Sequence, residues 1–295
     1  MIIDIHTHIA YHKLYSEGFL NGISETIFPD GNVNPNLIKK IIYGALNDSE
    51  CQKFIGQMDE AKIDKSVLLI ADYGYRLGEA ELSISEIHAL HYEIVTKYPE
   101  KFIVFAGVDP RRGRPGLDLF ERSIREYNFR GLKLYPPCGF ELDDNHLRPF
   151  YDLCFQEKIP VLTHTGPSLK TMRTEKRYPG SIFKIASEYK EVKFILGHGG
   201  ARDYLTSVQL AKNRENIYFD ISAFQNYTED VNETKQRFRM FFDEVPDQVL
   251  FGSDWPMFSL RGSQRKWVDF VIELNVLQDF ELEKLFYKNA LAVLS

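Results

Sequence analysis

Apolar residues along this chain alternate between two rhythms: short unbroken runs, and longer stretches with helical spacing. The first run, Ile2-Ile3-Asp4-Ile5-His6-Thr7-His8, carries β-branched residues and reads as a buried strand. Further runs of this kind lie at residues 66–70, 102–108, 131–135, 160–164, 192–196, 217–221 and 249–251. Helical spacing fills the intervals, at residues 85–97, 117–127, 147–157, 180–189, 205–212 and 232–242, with two further helices closing the chain. Asp48 and Ser49 are placed to cap another helix that runs to about residue 62.

Eight apolar strands alternating with helices predict a parallel sheet, and eight is the number that closes a (β/α)8 barrel. An open doubly wound sheet is the competing architecture. No break in composition divides the chain, so the expectation is an α/β TIM barrel as one domain over residues 1–295. Residues 9–48 interrupt the rhythm. They carry a turn signal at Pro29-Asp30-Gly31-Asn32, a helix start at Pro35 and a predicted helix at 37–47. A connection this long in a compact domain is usually functional. We read it as a lid or insertion after the first strand, irregular before its helix.

Composition narrows the partners. A net charge of −6 argues against nucleic acid, which needs a basic face. No apolar stretch reaches the ~18 residues of a membrane span, so the expected partner is a small molecule, a carboxylate being one candidate. With 22 Phe and 16 Tyr, a homo-oligomeric interface would be unsurprising. Cys51, Cys138 and Cys154 are odd in number and unpaired in spacing, which argues against a disulfide framework or a cysteine zinc site. The first strand begins almost at Met1 and leaves no room for a removable leader, so the expected location is the cytoplasm.

Candidate chemistry collects at the strand ends, where barrel enzymes keep their catalytic groups. His6 and His8 follow strand one, and positions two apart in an extended backbone face the same way. Lys133 lies in strand four, His164 ends strand five, His198 follows strand six and Asp254 follows strand eight. A catalytic zinc ion is commonly held by imidazole nitrogens and a carboxylate, with a position left for water. His6, His8 and His164 supply the nitrogens. Asp254 supplies the carboxylate and can also accept the proton of an attacking water. His198 can polarise a substrate oxygen, protonate a leaving group or hold a second metal. Arg111 and Arg202 lie on the rim side, where a guanidinium can clamp a carboxylate. Tyr135 and Trp255 adjoin the set as candidate pocket walls. For His12, His88, His91 and His146, in the insertion or on helices, a structural role is preferred.

These residues amount to a family resemblance. Asp4-Ile5-His6-Thr7-His8, Gly131-Leu132-Lys133-Leu134-Tyr135-Pro136, His164-Thr165-Gly166, Gly197-His198-Gly199-Gly200 and Gly252-Ser253-Asp254-Trp255-Pro256 occur in matching order along the chain. Together they resemble the amidohydrolase superfamily, and more narrowly its amidohydrolase-related branch, which also contains aminocarboxymuconate-semialdehyde-type decarboxylases. Phe286-Tyr287-Lys288-Asn289-Ala290-Leu291 resembles the closing helix of that branch. The resemblance implies a distorted barrel with one or two divalent metal ions, His6, His8, His164 and Asp254 mapping as ligands. His198 maps to a strand-six histidine that is catalytic in mononuclear members and a ligand in binuclear ones.

Lys133 is the ambiguous position. In several binuclear members of the superfamily a strand-four lysine is carboxylated and bridges the metals, whereas the better-known decarboxylases of the branch lack it. An unmodified cation facing a substrate carboxylate or Asp254 is placed ahead of the carboxylated bridge, and a structural ion pair is the third reading. The cofactor expected is Zn2+, one ion, with two if Lys133 is carboxylated or His198 is a ligand. The leading functional reading is a metal-dependent hydrolase, in which metal-bound hydroxide attacks an amide, lactone or related ester carbonyl. The alternative is non-oxidative decarboxylation of an unsaturated or aromatic carboxylic acid. A non-catalytic binding barrel is the remote alternative, and it predicts a broken ligand set where this one is complete.

Overall fold

Eight short strands form one parallel sheet in sequence order: β1 Ile3–Thr7, β2 Lys65–Leu69, β3 Phe102–Gly107, β4 Leu132–Leu134, β5 Val161–His164, β6 Phe194–Gly197, β7 Ile217–Asp220 and β8 Val249–Leu250. The computed structural model describes residues 1–27, 34–166, 168, 169, 172, 180–227, 229–259 and 261–295. The sheet closes on itself where the Ile5 N–H donates to Phe251 O at 2.9 Å and the Asp254 N–H to His6 O at 2.8 Å. The strands are apolar on both faces, as parallel strands under helices must be. Ile3, Ile5, Val67, Leu69, Phe105, Leu162, Ile195 and Leu250 fill the barrel interior. Leu68, Val104, Leu132, Val161, Phe194, Phe219 and Val249 belong to the larger outer core.

The helices are α1 Glu17–Ile27, α2 Pro35–Ala45, α3 Gln52–Ala61, α4 Gly74–Leu77, α5 Ile84–Lys97, α6 Gly113–Arg125 and α7 Arg148–Glu157. They continue with α8 Gly180–Glu188, α9 Tyr204–Ala211, α10 Val231–Glu244, α11 Gln264–Glu273, α12 Asp279–Glu283 and α13 Asn289–Leu294. The last two are joined through a wider helical turn at Lys284–Lys288. The interior of the barrel is floored by Ala290 and Val293 of α13.

Two local features depart from the sequence expectation. The segment after β1 is irregular only at its start, because a helix that the sequence reading did not expect, α1, occupies Glu17–Ile27. The helix expected at 37–47 runs as α2 from Pro35, with Asn34 capping it through the Asn36 N–H at 2.9 Å. The Pro29–Asn32 turn lies outside the described residues. In addition, β1 carries one extra residue relative to β2 between Asp4 and Thr7. Such a bulge re-aims side chains. It lets Ile5 face the interior cluster while His6, its neighbour in sequence, also turns inward to Lys133 and Asp220.

Candidate metal centre

The C-terminal ends of β1, β4, β5, β6, β7 and β8 bring a polar cluster to one rim of an otherwise apolar barrel. His6, His8 and Asp254 converge: one ligand atom from each lies within 4.8 Å of the other two. Asp254 Oδ1 stands 3.4 Å from His8 Nε2 and 3.7 Å from His6 Nε2. Lys133 joins them with its Nζ 3.2 Å from His6 Nε2. His164 stands apart from that triplet and meets His198 instead, Nδ1 to Nε2 at 3.0 Å. The rings of His6 and His198 are 4.8 Å apart, so the two groups abut.

The backs of the rings decide what their fronts can do. A neutral imidazole has one N–H and one lone pair. His8 Nδ1 donates to Leu69 O at 2.8 Å, and His6 Nδ1 donates to Asp220 Oδ2 at 2.9 Å. Both rings therefore present the lone pair of Nε2 toward Asp254. A carbonyl or carboxylate behind a ligating imidazole is the usual second layer of a metal site. Burial, reinforced by Lys133, holds His6 well below its ordinary pKa, which keeps the ring neutral. Burial pushes Asp254 up, but the surrounding imidazoles of His8, His6 and His198 more than offset it, leaving the carboxyl below its usual range. Neutral imidazoles beside an ionised carboxylate are the donor set that a divalent cation takes, and these residues fit one.

Lys133 is 2% exposed, and burial pushes it down to about 8 against the pull of Asp220 and Asp254. His198 is lowered by burial, opposed by the same two carboxylates. His198 and Asp254 both have left-handed backbone, at φ 63° and 54°. For residues with a Cβ this costs of order 1 kcal/mol or more, and such outliers cluster at functional sites.

The other predicted residues divide. Tyr135 packs its ring 4.3 Å from His164 and meets the edge of Tyr73 at 4.9 Å, forming a buried aromatic wall. Phe19 of α1 stacks on Tyr73 at 4.3 Å, which ties the segment after β1 to that wall. Trp255 turns its ring away onto Phe54 of α3, 5.7 Å off and nearly parallel. Arg111 commits Nε and Nη2 to Asp109 at 2.8 and 2.6 Å, in an ion pair beside the rim. The side chain of Arg202 lies outside those described. His88 and His91 are buried in α5, holding Gly107 O and Ile87 O.

Sequence reasoning missed Asp220 and Ser222. Asp220 Oδ1 accepts from the backbone N–H groups of His198 at 3.1 Å and Ser222 at 3.0 Å, and from the Ser222 hydroxyl. The signal existed, since Asp220 ends an apolar strand just as His164 does.

Likeness to solved structures supports the same architecture. The chain is similar to 5-carboxyvanillate decarboxylase from Sphingomonas paucimobilis, at 13% identity and a TM-score of 0.69, covering 99% of this chain and 98% of that one. It is similar to a dihydroxybenzoic acid decarboxylase from Polaromonas sp. JS666 with bound manganese, at 17% identity and a TM-score of 0.68, covering 100% and 97%. It is likewise similar to 4-oxalomesaconate hydratase from Rhodopseudomonas palustris, at 17% identity and a TM-score of 0.65, covering 100% and 95%. Comparison with curated proteins returns no significant match. The amidohydrolase family fits residues 3–295, and with a barrel rim that gathers a histidine and aspartate group suited to a divalent metal, this chain belongs to that family of enzymes.

Proposed function

We propose that the protein is a zinc-dependent hydrolase that opens an amide, lactone or related ester carbonyl of a small molecule. The observation that carries the reading is the position of Asp254 Oδ1, 3.4 Å from His8 Nε2 and 3.7 Å from His6 Nε2, where one carboxylate can serve both cation and water. His6, His8, His164 and Asp254 would hold the ion. When bound, zinc lowers the pKa of water to about 7 and polarises a carbonyl. Asp254 takes the proton of the attacking water, and its lowered pKa suits a group that must be ionised beforehand. His198 hands a proton to the leaving group or steadies the developing anion. Tyr73 and Tyr135 wall the site with buried aromatic surface that excludes water.

Lys133 is read as an unmodified ammonium that meets a substrate carboxylate. Its proximity to the His6 and Asp254 cluster supports that role over a remote ion pair. The described part of residues 9–48 is read as a cover over the rim, a role supported by the Phe19 and Tyr73 stack. A cytosolic setting belongs to the same proposal, supported by three free, buried cysteines.

The likeness to decarboxylases favours one second reading, release of CO2 from a small carboxylic acid on the same ligand set. Turnover of a panel of amides, lactones and esters in 18O-labelled water separates the two. Hydrolysis places solvent oxygen in the product, whereas CO2 release without it establishes the second reading. Metal analysis of protein purified without added metal should give one zinc per chain, and intact mass should show no added CO2 on Lys133. Asp254→Asn should lower kcat by about 10²–10⁴-fold. Unchanged turnover in that variant would remove the central assignment.

A further inference from the structure

We infer that Asp220 and Ser222 form a buried hydrogen-bond hub that dictates which nitrogen of His6, His198 and His164 carries the proton. The inference deepens the metal-centre reading, since it determines which nitrogens are offered to a cation.

The hydrogen count closes in only one way. Asp220 is wholly buried and, as a carboxylate, can only accept. Its Oδ2 faces His6 Nδ1 at 2.9 Å, so His6 Nδ1 carries a hydrogen. Its Oδ1 lies in the closest contact of the cluster with Ser222 Oγ, and the single hydroxyl hydrogen of Ser222 must sit there. Two lone pairs then remain on Ser222 Oγ. They face His198 Nδ1 at 2.9 Å, which must donate, and His6 Nδ1 at 3.1 Å, whose single hydrogen is shared between Asp220 Oδ2 and Ser222 Oγ. Hydrogen on Nδ1 places the lone pair of His198 on Nε2, which faces His164 Nδ1 at 3.0 Å. That nitrogen donates in turn, and the lone pair of His164 falls on Nε2.

The reverse assignment fails on electrostatics. If the Ser222 hydroxyl pointed at His198, its oxygen and Asp220 Oδ1 would touch with no hydrogen between them, a costly arrangement in a buried site. It would also push hydrogen onto Nε2 of His198 and then of His164. The histidine and aspartate group of His6, His198 and Asp220 is therefore a hydrogen-bond hub around Ser222 Oγ and not a second cation site. Asp220 and Ser222 are positioning residues: they act on the site through the rings they orient. His8 stands outside their reach, fixed separately by Leu69 O.

Nitrogen-15 NMR of histidine side chains in the full-length protein, as purified and after loading with Zn2+, reads the tautomers directly. His6, His164 and His198 should show protonated Nδ1, with His6 and His164 metallated at Nε2 once loaded. Hydrogen on Nε2 of His6 or His198 in the unsubstituted protein would overturn the hub, and this needs no variant to fold. Ser222→Ala should move His198 and His164 to the Nε2–H form, leave His6 and His8 unchanged, and weaken the Zn2+ Kd about 10–100-fold. An unchanged tautomer pattern in that variant, with intact circular dichroism, would also overturn it. If the unsubstituted protein shows the Nδ1–H pattern yet binds neither Zn2+ nor Mn2+, the hub stands and the metal-centre reading falls.

Discussion

Asp4 shows how much a single buried group can govern. Its carboxylate accepts the N–H groups of His6 at 3.2 Å and Ser253 at 3.0 Å and the Gln264 amide at 3.0 Å, bracing β1 against the loop that carries Asp254. Burial outweighs these bonds and pushes the carboxyl from 3.8 up to about 7. The folded protein therefore holds this proton more tightly than the unfolded chain does. The resulting stability is complete below the unfolded value and is lost as pH rises toward 7, by roughly 4 kcal/mol in all. Asp4→Asn removes the titration and keeps the shape. Gln264 Oε1 has no hydrogen-bond partner among the described residues, so the amide can turn over to accept from the new side chain. In urea unfolding, Asp4→Asn should match the unsubstituted protein near about pH 3 and exceed it near about pH 8. Equal pH slopes in the two proteins would exclude a raised Asp4.

At the scale of elements, what the sequence predicts follows from how local each cause is. The N-cap position of α3 falls to Cys51 and not to Asp48 or Ser49, yet the Asp48 carboxylate still serves the first turn, accepting from Lys53 N at 3.1 Å and Phe54 N at 2.9 Å. This holds Phe54 under Trp255. Asp48→Ala should lower stability by about 1 kcal/mol, seen as a lower urea midpoint at unchanged slope. A loss within error would mean that the two contacts carry no weight. By contrast α1 was hidden, because Gly18 and Gly22 weaken its helical pattern. Tertiary packing demands the first: a Cβ at Gly18 would lie 2.5 Å from the backbone Leu77 O, whereas one at Gly22 would meet only the Leu169 side chain, its Cδ1 at 2.6 Å. The site behaves in the same way. His6, His8, His164, His198 and Asp254 are legible as polar ends of apolar runs. Asp220 also ends such a run, but its meaning depends on His6, 214 residues away, and nothing near it in sequence announces that partner.

The whole molecule separates stability from chemistry along the barrel axis. Polar groups crowd the rim at the C-terminal strand ends, while the opposite end is sealed by the final helix, with Ala290 and Val293 in the interior cluster. The seal is anchored on β8, which has only two residues. Asn289 donates its side-chain amide to Pro246 O at 3.0 Å and Val249 O at 2.8 Å, and the Phe251 N–H reaches back to Leu285 O at 3.0 Å. Asn289 is 4% exposed, so its removal would leave buried carbonyls without donors. Each orphaned group costs about 1–3 kcal/mol. Asn289→Ala should therefore lower unfolding free energy by roughly 2–4 kcal/mol while the transition stays cooperative. Because Asn289 binds the strand starts and the metal centre lies at the strand ends, the Zn2+ Kd of the folded variant should stay within about twofold of the parent, far inside the effect of losing an outer-layer partner. A Zn2+ Kd that weakened in step with stability would show that floor and rim are one cooperative unit, and that the short β8 transmits strain from the closing helix to Asp254.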